Sequence, residues 1–231
     1  YKNSSCARFP NVYQLQVNNI YWQLLTTNKG HFYLFGAYFD TRRRCSDCPA
    51  VRLIAMIDHT SVAVETYCQI WFPDRKEPVI VPSLEYSIIF GGHNGRNVSL
   101  IPHLITCPIP KEFLGEVPII VSLVERKCDI ATNSLRINYN QPTRPDGEKE
   151  NFAVCVKMLD YLHEDQSARL VEWIELTRLL GADKIILYVL YIHENMTKVL
   201  NYYEKQNVVE IVPTTKSGNQ GNVPYLQHLD L

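Results

Sequence analysis

VEWIELTRLLGADKIILYV, residues 171–189, changes its periodicity halfway along, and that change decides how the last third of the chain is read. In its first half, continued back to Leu170, the residues Leu170, Trp173, Ile174, Thr177 and Leu180 form one stripe at helical spacing, with Glu172, Glu175 and Arg178 on the other side. Asp165 or Ser167, just upstream, has the side chain to cap such a helix, and Gly181 supplies a left-handed stop. IILYVLYI (185–192) is then a continuous apolar run, the pattern of a strand covered on both faces.

The same alternation extends outward. FAVCVKML (152–159) predicts a strand before the helix, ENMTKVLNYYEKQN (194–207) a second helix with Asn195 as its cap, and VVEIV (208–212) a third strand. A β-α-β-α-β order of this kind implies parallel strands joined by right-handed crossovers. The expected fold is a partial Rossmann-like α/β domain over 148–231, its ligand beyond the carboxyl ends of the strands at 157–161, 188–191 and 213–216.

Upstream the period is different. From Tyr13 to Asn140, HFYLFGAYFD, VRLIAMID, SVAVETYCQIWF, PVIVPSLEYSIIF, SLIPHLITC, VPIIVSLVE and SLRINY are short runs rich in Val, Ile, Tyr and Phe. RRRCSDCP, PDRKEP and GGHNGRN separate some of them with turn chemistry. These features predict an antiparallel β-sandwich over 1–147, with the polar QPTRPDGEKEN (141–151) as linker. The fold class expected is thus α+β in two domains.

The 231 residues carry 23 basic and 24 acidic side chains, a formal net charge of -1, which argues against nucleic acid as a partner. No apolar run is long enough for a membrane span, and the first residue is Tyr1, so any signal or anchor is expected outside this chain. Seven cysteines and three N-x-[ST] sequons, at Asn3, Asn97 and Asn195, point jointly to a secretory compartment and name three candidate glycosylation sites. The odd cysteine number leaves at least one thiol without a partner in the chain, and Cys155, inside the first parallel strand, reads as a buried thiol. Cys45-x-x-Cys48 is compatible with half a zinc site, a redox pair or structural disulfides, and disulfides of unassigned connectivity suit its proline-ended loop best. GGHNGRNVS offers either a binding loop with His93, Asn94 and Arg96 or a turn displaying a glycan at Asn97.

No G-x-G-x-x-G follows the first parallel strand, and no G-x-x-x-x-G-K-[ST] or G-x-S-x-G occurs. Dinucleotide oxidoreductases, P-loop NTPases and the commonest α/β-hydrolases are therefore disfavoured. The candidate nucleotide-binding residues are those assigned to the strand ends: Lys157 and Asp160 on the first, Tyr188 and Tyr191 on the second. Charges there would meet phosphate or ribose, and the tyrosine rings could stack on a base.

FAVCVKMLDY, LVEWIELTRLLGADKIILYV and VLNYYEKQNVVEIVP, in this order and spacing, resemble the start of the family 92 glycosyltransferase domain, a group that includes β-1,4-galactosyltransferases. HFYLFGAYFDTRR and CPAVRLIAMID resemble that family's N-terminal β region. The resemblance implies a glycosyltransferase A-type fold and inverting transfer of a hexose, galactose above all, from a UDP-sugar donor to a glycan acceptor. It also implies Mn2+ held by an Asp-x-Asp motif, and the lumenal part of a Golgi type II membrane protein. A carboxylate base would deprotonate the acceptor hydroxyl while the metal neutralises the departing diphosphate. PYLQHLDL (224–231) resembles the segment before the acidic motif, and Asp230 alone is not that motif. No metal ligand and no catalytic residue is therefore assigned, and residues 1–231 alone are expected to be inactive. Val189 stands where the family carries Asp or Asn, and Thr214 where it carries Trp. The competing expectations are a secreted carbohydrate-binding or adhesion module, with function in the β half, and a pseudoenzyme.

Overall fold

The computed structural model describes residues 6–42, 49–57, 64–84, 86–89, 100–139 and 152–216. Asn3, Cys45, Cys48, the GGHNGRN loop with Asn97, the 141–151 segment and the PYLQHLDL end lie outside the described residues. The chain divides into two compact units, Tyr1–Asn140 and Gln141–Leu231.

Among the described residues the first unit contains ten strands: β1 (Val17–Asn19), β2 (Trp22–Thr27), β3 (Gly30–Asp40), β4 (Ala50–Ile57), β5 (Tyr67–Trp71), β6 (Val79–Pro82), β7 (Tyr86–Ile88), β8 (Ile101–Pro108), β9 (Ile120–Val124) and β10 (Leu135–Asn138). Their alternation sends one face inward. In β4, Val51, Leu53, Ala55 and Ile57 are buried, while Arg52, Ile54 and Met56 between them are half-buried. Phe32, Leu34, Leu53, Ile57, Ile70, Ile105 and Leu123 are fully enclosed. Each such side chain contributes about 1.5–3 kcal/mol relative to leaving it in water.

The sandwich expectation is corrected here. A sandwich has two separate sheets, whereas these strands form one ten-stranded sheet in the order β6-β5-β9-β10-β3-β4-β8-β7, with β2 also on β3 and β1 on β2. The joint is β10, whose Leu135 and Arg136 pair antiparallel with β9 and whose Ile137 and Asn138 pair parallel with Ala37 and Tyr38 of β3. The sheet curls as a half-barrel. Cys68 on β5 is bonded to Cys107 on β8, with Cα atoms 5.9 Å apart, although four strands separate β5 from β8 in the sheet order. A second disulfide, Cys6–Cys128, ties the N-terminal segment to the β9–β10 connection.

The second unit holds β11 (Phe152–Tyr161), α1 (Ser167–Leu179), β12 (Ala182–Ile192), α2 (Glu194–Lys205) and β13 (Val209–Pro213). β11 pairs with β12 and β12 with β13, both parallel. Gly181 has φ +97°, a backbone conformation glycine reaches without strain, and it turns the chain from α1 into β12. Leu170 and Ile174 of α1, Met196, Leu200 and Tyr203 of α2, and Leu159, Ile185, Leu187 and Val209 of the strands make one core.

The Rossmann-like α/β expectation is overturned as well. The described residues are mostly β, 47% strand against 18% helix, with only two α-helices. The three strands lie in chain order, so among the described residues the sheet has no reversal of strand order and no topological switch point. Both helices contribute to the same core, and the opposite face of the sheet takes no part in it. The continuous apolar run of β12 suggested cover on both faces, yet only alternate residues, Ile185 and Leu187, are buried, with Ile186 and Tyr188 half-buried. Cys155 is correspondingly a free, exposed thiol rather than a buried one. Leu180, expected in the buried stripe of α1, is 79% exposed because the stripe ends at Thr177 and the chain turns at the next residue but three.

Candidate functional site

The local sequence of the second unit fixes where each candidate side chain stands. β11 keeps one register from Ala153 to Val156, which pairs with Leu187, and then shifts so that Leu159 pairs with Val189, and shifts again so that Asp160 pairs with Tyr191. The irregularity places Lys157 and Tyr188 within the strands, while Asp160 and Tyr191 come near the carboxyl ends of theirs. The four residues therefore do not share one edge as the sequence reading assumed.

Lys157 and Tyr188 lie on the sheet face that the helices leave uncovered. Cys155 pairs in register with Ile186, and Ile186 with Glu210, which puts Cys155 and Glu210 on that face too. Desolvation lowers the Lys157 ammonium from its ordinary value. Desolvation is also the largest cause raising the Tyr188 hydroxyl, followed by the charges of Cys155 and Glu210. Tyr191 is 54% exposed and presents its ring to solvent.

At the carboxyl ends of the strands Asp160 meets a residue that sequence reasoning missed. Lys216 Nζ stands 3.7 Å from Asp160 Oδ2, and both side chains are largely withdrawn from water, 15% and 17% exposed respectively. The signal available in the sequence was a lysine three residues past the Val-Pro that ends β13, within the 213–216 segment already assigned to the ligand side.

The same end of the sheet carries a second polar cluster that joins the two helix starts. Asp165 Oδ1 accepts from the Ser167 backbone N–H at 3.0 Å, and its Oδ2 accepts from Asn195 Nδ2 at 2.6 Å. These hydrogen bonds, the one from Asn195 first, hold the Asp165 carboxyl down at about 2. Asn195 does not cap α2: the cap is His193, whose Nδ1 accepts from the Asn195 backbone N–H at 3.2 Å. Nor does Ser167 cap α1, whose N-cap position is Gln166 without a side-chain bond, so Asp165 serves that helix from one residue further back. Asn195 is exposed with its amide engaged by Asp165, and it is the one sequon asparagine among the described residues.

Among the described residues no three His, Cys, Asp or Glu side chains converge on a possible metal site. The described side chains thus do not by themselves provide the ligands of the manganese ion that the resemblance implies.

Residues 150–230 match the family model of glycosyltransferase family 92, a match that spans most of the second unit and none of the first. The match suggests glycosyltransferase activity, and with it a sugar donor and a glycan acceptor in general. No curated protein matches this chain. No solved structure matches it either.

Proposed function

We propose that this protein takes part in hexosyl transfer, moving galactose from a UDP-sugar to a glycan acceptor with inversion at the anomeric carbon. The observation that carries the reading is the family match over 150–230. In such a transfer the acceptor oxygen bonds to the anomeric carbon, the bond from that carbon to the diphosphate breaks, and UDP leaves while a base takes the acceptor proton. The residues on the donor side are Lys157, Asp160, Tyr188 and Tyr191, joined by Lys216. A manganese ion, in this reading, takes its ligands from outside the described residues. Two disulfides suit an oxidising, secretory setting, and we place the protein in the Golgi lumen. No helix among the described residues is long and apolar enough to cross a membrane.

Calorimetric titration of UDP into the full chain tests the donor side, and transfer of galactose from UDP-galactose to galacto-oligosaccharides tests the reaction in a longer chain carrying the family's acidic motif. Heat on addition of UDP, competed by uridine, is the expected result; a folded chain that takes up neither ligand at saturating concentration contradicts the reading.

A second reading rests on a different observation. Trp22 of β2 and Phe35 of β3 meet with their rings tilted by 49° and centroids 5.1 Å apart, and Tyr33 and Tyr38 are partly exposed on β3. Partly exposed rings on a sheet suit the apolar faces of sugars, so the first unit could serve as a carbohydrate-binding module. A glycan array probed with the first unit and with a Trp22→Ala variant tests this, binding by the parent and its loss in the variant being the supporting outcome.

A further inference from the structure

Four register neighbours form one row across the sheet of the first unit: Asn138 of β10, Tyr38 of β3, Arg52 of β4 and Thr106 of β8. Their chain neighbours Ile137, Ala37, Val51, Leu53, Ile105 and Cys107 belong to the core, so by alternation the row lies on the face turned away from it. The Tyr38 ring folds back along its own strand. A Cβ added at Gly36 would lie 3.4 Å from both Tyr38 Cε2 and the Tyr38 hydroxyl, so the missing side chain at Gly36 leaves the ring room to lie over the sheet. Tyr38 is 37% exposed, and Asn138 beside it is exposed as well.

The charges around this ring are unequal. Histidines apart, the charged residues of the four strands are Arg136, Arg52 and Asp40, and Arg42 follows β3 closely. Asp40 takes a two-pronged contact from Arg42, at 2.8 and 2.7 Å, and faces Arg52 Nε at 3.4 Å. Arg136, exposed two residues before Asn138 on the same face, adds a third guanidinium to the single carboxylate. The surroundings of the ring are therefore cationic.

A flat ring with polar groups at its rim suits a pyranose, whose C–H face covers the ring while its hydroxyls meet the rim. The surplus charge selects among sugars, because a guanidinium gains a charge-assisted pair from an anionic group and nothing comparable from a neutral one. We propose that Tyr38 is the stacking platform of a subsite for an acidic sugar, with Arg136 facing the anionic group and Asn138 the hydroxyls. The inference rests on the carbohydrate-binding reading of the first unit and names its site and its ligand class.

The test is titration of the full chain with three tetrasaccharides, unsulfated chondroitin, sulfated chondroitin and neutral chitotetraose, repeated with Tyr38→Ala, Tyr38→Phe and Arg136→Gln variants checked for folding by circular dichroism. The parent is expected to bind an acidic glycan at least about tenfold tighter than the neutral one, the scale of one charge-assisted contact. Uptake of the unsulfated form identifies a carboxylate as the group read, and uptake of the sulfated form alone identifies sulfate. Tyr38→Ala weakens binding about tenfold and Tyr38→Phe keeps it, which separates a stacked ring from a mere patch of charge. Arg136→Gln removes the preference for the acidic glycan. Equal affinity of the parent for acidic and neutral glycans overturns the ligand class, and acidic binding untouched by Tyr38→Ala overturns the site. A folded parent that binds none of the three, nor any arrayed glycan, defeats the carbohydrate-binding reading itself. Array binding lost in Trp22→Ala but unchanged in Tyr38→Ala defeats only this inference.

Discussion

The Tyr203 hydroxyl of α2 donates a 2.6 Å hydrogen bond to Glu175 Oε1 of α1, a polar fastening midway along two helices that also share an apolar core. Burial first, then the bond to Glu175 and its charge, push the Tyr203 hydroxyl up to about 12 from 10.0. A group whose pKa rises on folding stabilises the fold below its unfolded value, so this contribution is complete below pH 10 and is lost as pH climbs through about 12. Tyr203→Phe should cost about 1 kcal/mol at neutral pH, because Glu175 can turn back to water. Urea unfolding of parent and variant at pH 7 and pH 11 is the check: the gap between them should narrow at the higher pH.

Asp165 gives the opposite sign. Its carboxyl is held at about 2 against an ordinary 3.8, so the stabilisation is present above pH 3.8 and disappears as pH falls through about 2. Asp165→Asn should lower hydrogen-exchange protection of the Ser167 amide and the first turn of α1 at neutral pH, with little further change on acidification. Protection at Ser167 equal to that of the parent would argue that the aspartate fastens neither helix start.

Gly181 and Ile174 separate backbone strain from packing within one helix-to-strand unit. A Cβ added at Gly181 would touch nothing within 4 Å, so Gly181→Ala carries only the conformational penalty of φ +97°, about 1–2 kcal/mol. Ile174 is fully buried, and Ile174→Ala should cost about 2–5 kcal/mol through lost burial and the cavity left behind. Denaturant midpoints should rank the parent above Gly181→Ala and that variant above Ile174→Ala.

Cys68–Cys107 fastens β5 to β8 across the curl of the first unit, closing a span of 39 residues. Replacing both cysteines by alanine should destabilise that unit by about 2–4 kcal/mol while leaving the second unit's unfolding where it was. Thermal unfolding of the parent and this double variant, followed by the fluorescence of Trp22 and Trp71, measures the shift. An unchanged first transition would mean that the core alone holds the curl.

The sequence showed most of the strand segments, though neither β1 nor β2, and it showed where α1 stops, because alternation and a positive-φ glycine are local properties. Pairing is not local. LRIN of β10 reads as one more short strand, and nothing in four residues says that it faces β9 on one side and β3 on the other. Sheet cover misled for a related reason: a continuous apolar run such as IILYVLYI marks residues that tolerate burial, whereas the side on which each helix lands is settled by the crossovers. At the candidate site, residue types and strand assignments were legible for Lys157, Asp160, Tyr188 and Tyr191, but the register shift after Val156 that separates them by depth was not. Lys216 escaped because its importance comes from a partner 56 residues away, and a lone lysine after a strand carries no mark of that.

The double pairing of β10 also bears on how the protein is made. β3 ends at Asp40 and its parallel neighbour begins at Leu135, so close to a hundred residues must leave the ribosome between the two halves of that pairing. Until then the growing chain carries Ala37 and Tyr38 of β3, beyond the part of that edge that β2 covers, without their parallel partner, and the last strand of the unit is also its seam. Synthesis past Asn138 is therefore the event that completes the first unit, and a pause shortly before it would leave a nearly finished sheet open to pairing with other chains.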